Sequence, residues 1–308
     1  MRNAFVKELE QLARSDDRVV LLSGDIGNRM FDGFKEIAPD RFINAGIAEQ
    51  NMIGVAAGLA LSGYRPYVYT IVPFLTTRCM EQIRVDLCYH DLPVVLVGVG
   101  GGLSYSSLGA THHSCEDIAM LRSIPNMRVC CPGDRIEVGA LVRETIGMDG
   151  PTYLRLGKKN EATVHREGVG LRMGVACVLE EGNEICVIST GNLLPWAAQL
   201  TAALGESGVS CSLVSMHTVK PLDGDYLKRA FAGHGLVVSV EEHSRIGGLA
   251  SAIDQWRHDF EGGGADYLGI GTADRFAHRL GDQTYVRRGL GLKEEVILKQ
   301  ILDRFGGV

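Results

Sequence analysis

Short apolar runs alternate with segments of helical period along most of the chain, a pattern that predicts parallel sheets flanked by helices. In the first half the runs are VVLLSG (19–24), RFIN (41–44), PYVYTIV (66–72), PVVLVG (93–98), MRVCC (127–131) and PTYLRL (151–156). Helical patterns fall between them, including 50–62, 74–89 and 135–146, and the opening MRNAFVKELEQLARSDD reads as an amphipathic helix. A polar stretch, GKKNEATVHREGVG (157–170), then breaks the alternation and reads as a surface linker. Beyond it come EICVIST (184–190), CSLVSM (211–216), GLVVSVEE (235–242) and a last strand near 267–270. Helices over 193–206, 222–232 and 248–260 separate these strands, and GGG at 262–264 reads as a mobile turn. The expected architecture is α/β, with two doubly wound, mostly parallel-sheet domains: residues 1–160, a linker over 161–171, and residues 172–308.

Composition narrows the function. The 308 residues are 45% hydrophobic and 22% charged, ordinary for a globular protein with two cores. A net charge of -6 argues against a nucleic-acid partner, which calls for a basic patch. The nine histidines are spread out rather than grouped at metal-ligand spacing. No apolar stretch approaches the ~20 residues of a membrane helix. The N-terminal segment also lacks the apolar core of a signal peptide, so a cytoplasmic location is expected. The eight cysteines form no C-x-x-C pair and read as reduced, small hydrophobes. Cys115, close behind His113, could form a Cys–His nucleophilic pair, but the sequence supplies no third, orienting group.

Three segments carry candidate chemistry, each where a strand gives way to a helix. Glu49 lies in NAGIAEQN (44–51), before a helix built from Gly, Ala, Ile, Val and Met. A carboxylate there either caps the free N–H groups of the helix or awaits a ligand. Phe74 lies in TIVPFLTTR (70–78), and His112 and His113 lie in the loop GVGGGLSYSSLGATHHSCED (98–117). In open α/β sheets ligands bind beyond the carboxyl ends of strands, so these side chains could converge on one crevice. The GVGGG run is not a dinucleotide fingerprint, because Leu103 and Tyr105 stand where its last Gly would fall and no acidic residue ends a following strand at the expected distance.

In order, GIAEQ, PF, GATHH and EDIAMLRSIPNMRVCCPGD resemble the pyrimidine-binding domain of thiamine-diphosphate enzymes, above all the transketolase and deoxyxylulose-phosphate synthase group. The resemblance is strong over 21–159 and continues more weakly through MHTVKPLD (216–223) and VEEHSRIGGLASAI (240–253). With a transketolase C-terminal-like domain behind it, the chain is similar to the C-terminal subunit of a split transketolase.

That resemblance implies a thiamine-diphosphate-dependent transfer of a two-carbon ketol unit from a ketose to an aldose. Glu49 matches the Glu that hydrogen-bonds the cofactor's pyrimidine nitrogen, a task requiring a fixed, dry carboxylate. A helix start followed by small residues suits it. Phe74 matches the aromatic that stacks on the pyrimidine, and Asp25, in SGDIG, an Asp beside the cofactor. His112 matches the catalytic His that contacts donor oxygens and shuttles protons, with His113 beside it in the substrate site. Lys158 falls where transketolases place an Arg on the sugar phosphate, and keeps the charge without the bidentate grip. Two departures, Gly100 for a His and Leu108 for an Asp, remove contacts to donor hydroxyls and suggest a different or modified sugar from a specialised pathway.

SGDIG is not the GDG…N diphosphate–metal motif, since Ile26 stands in the place of its last Gly, and no other segment carries it. Neither the Gly-rich turn nor the oxygen ligands for a Mg²⁺-bound diphosphate are evident. A partner, the N-terminal transketolase subunit with that motif, is therefore expected to hold the Mg²⁺ and to complete an α₂β₂ heterotetramer. The alternatives are a β-subunit of a 2-oxoacid dehydrogenase, another thiamine-diphosphate-dependent synthase, or a non-catalytic stabilising subunit. The second domain shows little chemistry of its own. Its His243 either borders the site entrance or caps the helix that follows.

Overall fold

The computed structural model describes residues 1–158, 161–259 and 264–307 and contains two sheets. The first half supplies β1 (Val19–Ser23), β2 (Phe42–Asn44), β3 (Arg65–Ile71), β4 (Val95–Val99), β5 (Arg128–Cys130) and β6 (Thr152–Leu156). The second supplies β7 (Cys177–Glu180), β8 (Ile185–Thr190), β9 (Cys211–Ser215), β10 (Thr218–Lys220), β11 (Leu236–Ser244) and β12 (Asp266–Thr272). The sheets run β10-β5-β6-β4-β3-β1-β2 and β12-β11-β8-β9-β7. All pairs are parallel except β10 with β5 and β7 with β9, each at an edge. Every residue of β1, β4 and β6 is buried, which explains their unbroken apolar runs: a parallel sheet is covered on both faces.

The structure refines four of these expectations. The helix expected over 74–89 is broken into Val72–Leu75, a turn, Met80–Gln82 and wide π-type turns over Ile83–Tyr89. Pro73 fits the first helical turn, but the β-branched pair Thr76 and Thr77 follows, and the Thr76 hydroxyl bonds back to the Val72 carbonyl. The halves are not cleanly separated either: β10, from the second half, extends the first sheet, and one apolar core runs from Val20 to Tyr267 through both.

The polar stretch after β6 runs mostly along the surface, but one residue anchors it. The fully buried His165 ring lies 3.0 Å from Asp134 and 3.2 Å from Glu137. Burial pushes its pKa down, yet the two carboxylates outweigh that and hold it up at about 12, so the ring is a cation between two acids. Fourth, His243 does not cap the helix Leu249–Asp259; Glu241 does, accepting from the Leu249 and Ala250 N–H groups. Most of the expected turn at 262–264 lies outside the described residues. Among the described residues, no helix is long and apolar enough to cross a membrane.

Candidate active site

The strand order of the first sheet reverses between β1 and β3, where an open α/β sheet leaves a crevice. Glu49 opens the helix Glu49–Leu61 at that crevice and is only 5% exposed. Gly24, just past β1, leaves it room: a Cβ there would stand 3.8 Å from Glu49 Oε1 and 3.2 Å from Thr70 Oγ1. That Thr70 hydroxyl is buried with no hydrogen-bond partner among the described residues.

Glu49 does not cap its helix. The N-cap is Ala48, with no side-chain cap bond, and the Glu49 carboxylate accepts from Arg78 Nη1 at 2.6 Å. Arg78 in turn lies over the site's aromatic, its guanidinium carbon 4.5 Å from the centre of the Phe74 ring. Arg78 stands four residues after Phe74, at the turn over 76–79, and lies over its ring. From there an unbroken series of contacts crosses the crevice. Phe74 meets His112 edge-on at 5.2 Å between ring centres, His112 meets Tyr105 at 5.8 Å, and the Lys158 ammonium sits 4.8 Å from the centre of the Tyr105 ring. Glu49, Phe74, His112 and Lys158, read separately from sequence, thus stand in one line beyond the carboxyl ends of β2, β3, β4 and β6.

The two histidines of the loop part company. His112 Nδ1 lies 2.9 Å from the Thr111 hydroxyl, whereas His113 Nε2 lies 3.1 Å from the Ser106 carbonyl and ties the loop to itself. Partial burial and then the neighbouring His113 lower the His112 pKa from its ordinary 6.5, so the imidazole is neutral at pH 7. Asp25 stays exposed past β1 and accepts from Asn44 Nδ2 at 3.2 Å, at the turn that leads to Glu49. The Cys115 thiol is pushed far above its usual range, by desolvation first and Glu242 second, and lacks the lowered pKa a nucleophilic thiolate requires.

Sequence reasoning missed three participants. Arg78 carried no signal beyond its place four residues after Phe74. Tyr105 was read only as a residue that spoils a glycine spacing. Glu242 belongs to the second half yet reaches the loop over 98–117: its carboxylate accepts from Leu103 N at 2.6 Å, Asn192 Nδ2 at 3.0 Å and Gln283 Nε2 at 2.9 Å, and it pairs with Arg287. Around it, buried Arg155 bonds Asp117 Oδ2 at 2.7 Å and the carbonyls of Ser114 and Glu242. Burial works against the Asp117 charge, but Arg155 holds its pKa below the ordinary value. His243, buried and pushed down to about 4, accepts from the Ala119 N–H at 3.4 Å through Nε2. The loop and the helix after it are therefore fastened to the second sheet by buried polar groups.

Comparison with known proteins identifies the family. Residues 1–162 match the family described as transketolase, pyrimidine binding domain, and residues 174–291 match transketolase, C-terminal domain. The chain is 35% identical over 254 residues to one subunit of an apulose-4-phosphate transketolase of Phocaeicola vulgatus, covering 82% of this chain and 81% of that protein. It is 34% identical to a putative transketolase C-terminal section of Methanocaldococcus jannaschii, over 98% of this chain and 95% of that one. A solved structure described as a split gene transketolase, inactive beta4 tetramer, superposes with a TM-score of 0.91 at 30% identity, covering 99% of this chain and 98% of the other. With a family match over more than half of its length and relatives alike from end to end, this chain belongs to the transketolase family.

Proposed function

We propose that this chain is the pyrimidine-binding subunit of a two-chain, thiamine-diphosphate-dependent transketolase that moves a two-carbon ketol unit from a ketose to an aldose. The observation that carries this reading is the clamp formed by Glu49 and Phe74. A protonated aminopyrimidine is a planar cation with N–H donors at its edge, and needs a dry carboxylate for the edge and an aromatic platform for the face. The Arg78 guanidinium is also a planar, delocalised cation, and it lies between that carboxylate and that ring. It serves as a stand-in for the pyrimidine, so the residues present fit the cofactor's ring. When bound there, thiamine diphosphate would supply a nucleophilic carbon centre and an electron sink for the ketol transfer.

On this reading Glu49 holds a proton at the pyrimidine nitrogen and Phe74 fixes the plane of the ring. His112, neutral at pH 7, exchanges protons with donor oxygens, and Lys158 meets the donor's anionic end. Asp25 stands beside the cofactor at the crevice mouth, and His113 shapes the substrate loop. The residues do not fit a metal: among those described, no group of three or more His, Cys, Asp or Glu could hold one. A separate subunit carrying the GDG…N motif is the proposed holder of Mg²⁺ and diphosphate, in an α₂β₂ assembly. Support for such a contact comes from the helix behind Glu49, whose outward side leaves Val55 38% and Leu61 69% exposed. A specialised sugar donor is favoured by Gly100 and Leu108, and by the relative that acts on apulose 4-phosphate.

The test is reconstitution. Purified with a separate subunit carrying the diphosphate motif, the chain should transfer a ketol unit from hydroxypyruvate to glycolaldehyde, and each subunit alone should not. Full activity of this chain by itself would refute the two-chain reading. An inactive complex that binds no thiamine diphosphate would refute the enzyme.

A further inference from the structure

We propose that Tyr105 is a positioning residue: its ring holds the Lys158 ammonium where the anionic end of a donor sugar docks. The proposal rests on the substrate role given to Lys158 above and adds a residue that neither the sequence motifs nor the family match single out. Three contacts define the place of the ring. It lies directly on the backbone of Gly100, since a Cβ there would stand 2.1 Å from Tyr105 Cε2 and 2.2 Å from Cδ2. Gly100 also sits at φ 85°, in the left-handed region that costs glycine nothing. No larger residue shares that space with the ring, so Gly100 and Tyr105 form one unit.

The second contact is the Lys158 ammonium over the ring, 4.8 Å from its centre. A lysine head on its four-carbon stem is a mobile point charge, and an aromatic face within about 6 Å confines it. The third is His112, edge-on to the same ring at 71°. His112 is also held by Phe74 at 5.2 Å between ring centres and by the Thr111 hydroxyl at 2.9 Å, so the half-buried Tyr105 ring is one of several contacts that place the imidazole. Burial raises the pKa of its hydroxyl above 10.0, so the group at pH 7 is a neutral phenol that does not neutralise Lys158.

The prediction separates the anion from the ketone. The two-chain complex is assayed with hydroxypyruvate and glycolaldehyde, neither of which carries a distal phosphate, and inorganic phosphate is added as the probe for the Lys158 site. Phosphate inhibits the unaltered complex. Tyr105→Leu weakens that inhibition by roughly threefold to tenfold, the range of a partly desolvated cation–π contact, while kcat/KM for hydroxypyruvate stays within about twofold. Tyr105→Phe keeps the face and restores the inhibition.

A second readout needs no partner. In the isolated chain the Lys158 side-chain protons carry an upfield ring-current shift in NMR spectra that vanishes in Tyr105→Leu and survives in Tyr105→Phe. Unaltered phosphate inhibition in Tyr105→Leu, or an equal fall in hydroxypyruvate turnover, overturns the positioning role. So does the absence of any phosphate inhibition in the unaltered complex. Failure of that complex to use hydroxypyruvate strikes the proposed function instead, and the NMR shift then decides the Tyr105–Lys158 contact alone.

Discussion

Asp134 and Glu49 are both buried carboxylates at the start of helices beside a cation, and they are finished in opposite ways. Asp134 caps the helix Arg135–Thr145 and accepts from five donors: the N–H groups of Ile136, Glu137, Val164 and His165 and the His165 ring, all within 3.1 Å. Both it and His165 are closed to solvent. Glu49, at the head of Glu49–Leu61, leaves its helix uncapped and takes a guanidinium that remains 42% exposed. The saturated acid fastens the chain between the two sheets. The unsaturated one keeps an exchangeable partner at the mouth of a crevice, the arrangement a ligand site requires.

This contrast can be broken most sharply at Glu49. Glu49→Gln still accepts from Arg78 but cannot hold a proton on a pyrimidine nitrogen. It should cost the complex about 10²–10⁴ in kcat while the unfolding free energy of the chain in urea changes by no more than about 0.5 kcal/mol. A large loss of stability with activity preserved would make Glu49 a structural acid like Asp134. The converse holds for the clasp. His165→Ala leaves two buried acids without their cation and should destabilise the chain by about 3–5 kcal/mol in urea unfolding, whereas thiamine diphosphate affinity of the folded complex is kept.

The clasp also has a pH signature. The His165 pKa is raised from 6.5 to about 12, so the stability it contributes is fully present below pH 6.5 and is lost progressively as pH rises toward 12. The gap in urea midpoint between the native chain and His165→Gln should therefore narrow from pH 7 to pH 10. A constant gap would mean that the ring acts through packing alone. The smallest expected effect is at Glu242, whose replacement by Gln weakens but does not erase its hydrogen bonds. A loss of about 1–3 kcal/mol should appear as faster hydrogen exchange at the Leu103 amide, with the Glu49 end of the site undisturbed.

Much of the fold was legible because parallel strands are buried on both faces and announce themselves as apolar runs. What escaped was at edges and ends. β10 is three residues long and β7 alternates between half-buried and exposed positions, so neither makes a run. The closing helices Gln283–Gly289 and Glu294–Gly306 were not read from the pattern. The site was legible where position in the strand–helix pattern implies geometry, as for Glu49, Phe74 and His112. Arg78 holds a Glu49 that lies 29 residues before it, Tyr105 packs on the glycine beneath it, and Glu242 lies 139 residues from the amide it holds. Such pairings are made by tertiary contact, and no local period encodes them.

The central claim, that Glu49 and Phe74 form a clamp for a planar cation which the cofactor's pyrimidine takes over from Arg78, is tested most directly by the structure of the two-chain complex with thiamine diphosphate. The account predicts a Glu49 oxygen about 2.5–3.0 Å from the pyrimidine nitrogen, the ring against Phe74, and Arg78 moved out of the clamp. A liganded complex in which Glu49 keeps its bond to Arg78 and the pyrimidine lies elsewhere would contradict it.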